Sequence, residues 1–157
     1  MNFLRQLVVL SIALFVISSC RAGEKSCPAP TPFKDQKFHP GQVWQYKTRA
    51  GEEESFITIL KVESLQNRPI VHIRVDHVHL KNCSEGPEPD TIKHMPFLRE
   101  AVDRSVMKLI KEDSKVPDFP GYDDWRKACG GVYTISVAEA VAADEAAFSQ
   151  GSHCKNN

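Results

Sequence analysis

Between residues 42 and 80 the chain alternates apolar and polar side chains and is cut twice by turn residues. Three strands are expected, over 42–48, 55–63 and 69–80. In the second, Phe56, Thr58, Leu60 and Val62 alternate with Ile57, Ile59 and Lys61. Both sets are apolar in the middle, so this strand is expected at the centre, covered on both sides. In the third, Val71, Ile73 and Val75 share one face and His72, Arg74 and Asp76 the other, the pattern of a half-solvated strand. Gly51 in the stretch 49–52, and Asn67-Arg68-Pro69 further on, supply the turns. Connections this short imply an antiparallel meander.

Downstream the period changes. Leu98, Ala101, Val102, Val106, Leu109 and Ile110 recur at helical spacing behind Pro96, which predicts a helix over 96–111 lying on the sheet. Pro117 and Pro120 break the next stretch. A short helix over 123–128, anchored by Trp125, should follow and end at Gly130-Gly131. Residues 132–135 look like a fourth strand. Ser136 and Glu139 have capping-box spacing, opening a helix over 137–149 with Val137, Ala140, Val141 and Phe148 on its apolar stripe. The expected fold is α+β, a three- to four-stranded antiparallel sheet with two main helices packed on it. About 118 residues from Pro40 onward suffice for one domain, 40–157.

The first 19 residues have a different character. Arg5 is followed by an apolar run from Leu7 to Ile17, broken only by Ser11. That is a secretory signal, too short for a span of roughly 30 Å. It ends in Ile17-Ser18-Ser19-Cys20, which resembles the lipobox of bacterial lipoproteins: an aliphatic residue, two small ones and a cysteine. The resemblance implies that Cys20 is acylated and becomes the first residue of the mature chain, anchoring it in a membrane. It also implies a periplasm-facing envelope protein, and Arg21 offers no aspartate-type inner-membrane retention signal, which points to the outer membrane. Ordinary cleavage after Ala22 is the rival. Residues 20–39, with Pro28, Pro30 and Pro32, read as a stiff extended tether. The globular part also resembles small uncharacterised bacterial envelope proteins, through Pro40-Gly41-Gln42-Val43-Trp44 and Tyr133-Thr134-Ile135-Ser136-Val137.

Charge narrows the partners. Only Arg5 among the 20 Lys and Arg precedes Cys20, and none of the 20 Asp and Glu does, so the mature balance is −1. A near-neutral chain has no bulk attraction for nucleic acid. A protein or small-molecule partner in the envelope is expected instead. Setting Cys20 aside leaves Cys27, Cys83, Cys129 and Cys154, an even number suited to two disulfides with three possible connectivities. Pairing Cys83 with Cys129 and Cys27 with Cys154 is the arrangement expected here.

Candidate chemistry is sparse. His77 and His79, two apart, would share a strand face near His72 and could ligate zinc or copper, although Asp76 would point the other way. Tyr122, Asp123, Asp124 and Trp125 could form a recognition patch. There is no Gly-x-Ser-x-Gly, no phosphate-cradling glycine loop and no His-Glu-x-x-His, and no cofactor is implied. Two functions stay open. One is a non-enzymatic binding, inhibitor or immunity-type lipoprotein. The other is a small periplasmic hydrolase or metal-binding protein using His72, His77 and His79.

Overall fold

The computed structural model describes residues 27–81 and 89–151. The expected signal (residues 1–19), Cys20, Cys83 and Cys154 lie outside the described residues. The architecture is α+β, with a six-stranded antiparallel sheet and three helices.

The meander forms where alternation placed it. Strands β2 (Val43–Tyr46), β3 (Phe56–Leu65) and β4 (Arg68–Asp76) are consecutive neighbours. Gly51 takes φ 83° between β2 and β3, and Gln66 and Asn67 both take positive φ in the two-residue turn joining β3 to β4. That is the backbone twist tight hairpins require.

The region predicted as one helix, 96–111, is three elements. β5 (Thr91–Leu98) pairs with β4, α1 (Arg99–Ser105) carries the chain across, and β6 (Val106–Lys111) pairs with β2 at the far edge. The strand order is β5-β4-β3-β2-β6. Pro96 therefore sits in an edge strand, where a missing N–H costs no ladder bond, rather than in a first helical turn. Val106 is already extended at ψ 149°, and Ile110 is 55% exposed instead of lying on the sheet. Pairing with the open side of β2 overrides the helical spacing, and an extra residue, Met107, brings Val106 and Leu109 to one face of the strand.

The expected fourth strand at 132–135 reduces to one parallel bridge between Phe97 and Tyr133. Leu98 N donates to Tyr133 O, and Tyr133 N donates to Pro96 O, each at 2.9 Å. The two closing helices are α2 (Gly121–Lys127) and α3 (Val137–Gly151). The capping box at the start of α3 is present: Ser136 N donates to Glu139 Oε2 at 2.9 Å, and Glu139 N to Ser136 Oγ at 3.3 Å. Phe148 leaves the expected stripe and is 62% exposed.

The core gathers Ile57, Ile59, Val71, Ile73, Val75, Met95 and Phe97 from the sheet with Ala101 and Val102 of α1 and Val137, Ala140 and Val141 of α3. Residues 27–39, expected as a free tether, belong to this body. β1 (Thr31–Pro32) pairs with the end of β3, and Phe38 is buried against Trp44 at 5.7 Å. The buried Asp35 carboxylate accepts from Lys37 N and Phe38 N and pairs with Arg99. Cys27 is disulfide-bonded to Cys129, which replaces both expected pairings.

A carboxylate, two imidazoles and an aromatic cap

Paired residues of an antiparallel ladder share a face, and a bulge changes which residues those are. In β3 the register slips between Ile59 and Lys61, so Leu60 is the extra residue. Without it Lys61 would follow Ile57 and Ile59 into the core. With it Lys61 stands opposite His72, and Glu63 lies two residues further on the same face. A second slip, between Ile73 and Val75, sets Lys93 and His94 of β5 opposite Arg74 alone. The first bulge thus sets Lys61 and Glu63 on the face of His72, while His94 reaches that face by alternation from Pro96, which pairs with His72.

The four groups form a chain. His72 is fully buried; its Nε2 lies 3.0 Å from Glu63 Oε1 and its Nδ1 2.8 Å from His94 Nε2. Lys61 Nζ pairs with Glu63 Oε2 at 2.7 Å. Tyr122 Oη donates to Glu63 at 3.0 Å, and Lys61 Nζ donates to Tyr122 Oη at 2.5 Å while lying 4.0 Å from its ring centre. Trp125 packs edge-on against His72, with centroids 4.9 Å apart. Glu63 is 3% exposed. Burial alone would raise its pKa, but hydrogen bonds from His72, Lys61 and Tyr122 outweigh it and hold the carboxylate down to about 2. Burial, and then repulsion from His72 when that ring carries charge, push His94 down to about 4.

Of the expected patch, Tyr122 and Trp125 turn inward as the cap over this chain, while Asp123 and Asp124 stay exposed at the start of α2. Trp125 also borders a cleft of about 560 Å³, with Pro28, Pro30, Leu65 and Val132 among its apolar walls and Asp123, Arg126 and Lys127 at its rim. The Cys27–Cys129 bridge forms part of one wall.

His77 and His79 do not join His72. β4 ends at Asp76, and His77 takes φ 57°, so the two histidines are not on a regular strand. Both are exposed, and the His77 ring rests edge-on against Phe56. The nearby Glu52 is buried and committed: it pairs with Arg49 and accepts His79 N at 2.8 Å. Among the described residues, no three His, Cys, Asp or Glu side chains are placed to hold a metal ion. The His72, His77 and His79 set thus has no geometric basis. The second strand was expected to end at Glu63, and His94 falls outside every element expected from the sequence. The only available signal was two titratable residues interrupting apolar β-patterns where a bulge could turn them inward.

Comparison with known protein families finds no match, and neither characterised proteins nor solved structures match this chain.

Proposed function

We propose that this chain is an exported, lipid-anchored binding module of the cell envelope, tethered through Cys20 and facing the periplasm from the outer membrane. The observation that carries the reading is the cleft beside Trp125, whose volume falls within the range of small-ligand sites. The Cys27–Cys129 bridge supports an oxidising compartment. Cys27 is seven positions beyond Cys20, so the wall of the cleft starts close to the anchor. Apolar walls with Asp123, Arg126 and Lys127 at the rim, a balance of one positive charge, suit a ligand with an apolar body and one anionic group, carried by a small molecule or by a partner protein. An inhibitor or immunity-type role is the case in which that group belongs to a protein segment.

The test is a heteronuclear NMR titration of the mature chain with alkyl carboxylates of graded length and with short acidic peptides. Saturable shifts at the Trp125 indole, Leu65 and Val132, weakened by Arg126→Glu, are expected. If none of these probes shifts those resonances saturably, the cleft is not a binding site for this class.

A further inference from the structure

The chain of Glu63, His72 and His94 has one unengaged end. His94 Nε2 is taken by His72, and His94 Nδ1 has no partner among the described residues. No buried side-chain nitrogen or oxygen lacks a partner there, so this Nδ1 is not sealed from solvent. Gly121 lies against this ring: a Cβ at that position would be in ordinary contact, 3.5 Å from Nδ1. Phe119, Tyr122 and Trp125 surround the ring at 6.0, 6.1 and 6.3 Å.

Hydrogen positions follow from the acceptors. An ionised Glu63 can only accept, so His72 carries hydrogen on Nε2. His72 Nδ1 and His94 Nε2 share a single hydrogen. In the neutral pair His72 Nδ1 therefore accepts from His94 Nε2–H, which leaves a lone pair on His94 Nδ1.

We infer that Glu63, His72 and His94 form a proton relay, and that His94 Nδ1 is an acid–base catalytic group for a small acyl ester with an aromatic or apolar body held by Phe119 and Trp125. Independently of what fills the cleft, the step is a hydrolysis. Nδ1 takes a proton from water, and the water oxygen bonds to the acyl carbon. The Nε2 proton passes to His72, whose new charge faces Glu63. The acyl–oxygen bond then breaks with its electron pair on the leaving oxygen, and the relayed proton returns to it, giving acid and alcohol. Glu63 and His72 act as positioning residues. The charged and titratable groups facing them are Lys61 from β3 and Tyr122 from α2.

p-Nitrophenyl acetate is the probe, with the mature chain. His94→Ala is expected to lose about tenfold or more of the rate, whereas His77→Ala and His79→Ala keep it. Glu63→Gln should move the acid limb of the pH–rate profile down by about one pH unit, because the imidazolium loses its anion. A wild-type rate in His94→Ala, or a profile unmoved by Glu63→Gln, overturns the proposal. Ring-nitrogen shifts of ¹⁵N-labelled wild-type protein give a reading that needs no variant. His94 bare at Nδ1 and protonated at Nε2 near neutral pH supports the relay; the opposite tautomer, with His72 as donor, overturns it.

Discussion

His72 Nδ1 and His94 Nε2 lie 2.8 Å apart across the β4–β5 pair, with their rings 10° from parallel. An unfolded imidazole takes up its proton near 6.5, while His94 in the fold resists until about 4. Between those values the unfolded chain holds the extra proton, so stability is full above about pH 6.5 and falls as the pH drops toward 4. Glu63 adds a lower window. Its stabilisation is present above 4.5 and is lost as the pH falls toward about 2. His94 is half-buried, so its slope should stay below the one-proton limit of about 1.4 kcal/mol per pH unit. Urea unfolding at pH 7, 6 and 5 checks this, and His94→Gln should flatten the slope. An unchanged slope in that variant would place the acid sensitivity elsewhere.

Gly130 and Gly131 are neighbours with opposite tolerance. A Cβ on Gly130 would stand 2.1 Å from Trp125 Cδ1, whereas one on Gly131 meets nothing within 4 Å. The indole cannot easily swing away, because its Nε1 donates to Gly131 O at 2.8 Å and its edge packs on His72. Gly130→Ala is therefore expected to cost roughly 1–3 kcal/mol and to shift tryptophan emission. Gly131→Ala should stay within about 0.5 kcal/mol of wild type. Thermal unfolding followed by fluorescence separates the two. Equal effects would mean that the Trp125 ring is not held where the fold places it.

What the sequence disclosed was local. The meander, the Gly51 turn and the Ser136–Glu139 cap each depend on residues a few positions apart, and each is found as expected. The α+β class followed from the same signals. The misreadings came from longer range. Val106 and Leu109, three apart, fit a helix stripe; they share a strand face only because Met107 is an extra residue between them, and the unpaired side of β2 decides the outcome. In strict alternation Lys61 would share the face of Ile57 and Ile59, and the extra residue Leu60 turns it to the other. Glu63 reaches His72 only because of that extra residue, which no spacing in the chain announces. Tyr122 and Trp125 were legible as a pair, but the direction they face depends on that hidden partner.

The Cys27–Cys129 bridge closes a long loop, the two residues being 102 positions apart. A crosslink of that span restricts the unfolded chain by about 4–5 kcal/mol in the loop-entropy account. Cys129→Ser should lower stability by a measurable part of that. It should also loosen residues 27–30, which otherwise depend on the two-residue pairing of β1 with β3. If Cys20 carries lipid, Cys83 and Cys154 are the remaining partners for a second bridge. Peptide mapping without reductant should recover a Cys27–Cys129 crosslinked pair. Recovery of Cys27 joined to Cys154 would refute the pairing.

The last prediction concerns the distance from anchor to body. Because Cys27 is bonded to Cys129 and residues 27–39 pack on the domain, the free tether is not the 20 residues the prolines suggested. Only residues 21–26 separate Cys20 from the first crosslinked residue. Fully extended they reach about 20 Å, so a lipid on Cys20 would hold the cleft beside Trp125 close to the membrane surface. A chain acylated at Cys20 should fractionate with membranes and show the added lipid mass on its N-terminal peptide. Cys20→Ala should block that processing and leave no such mass, while a chain cut after Ala22 would begin at Gly23 and fractionate as soluble in both forms. Inserting a flexible ten-residue segment after Glu24 should keep membrane fractionation unchanged and make Lys127, at the cleft beside Trp125, more accessible to a bulky amine-reactive label. Unaltered labelling would mean that the membrane does not crowd the cleft.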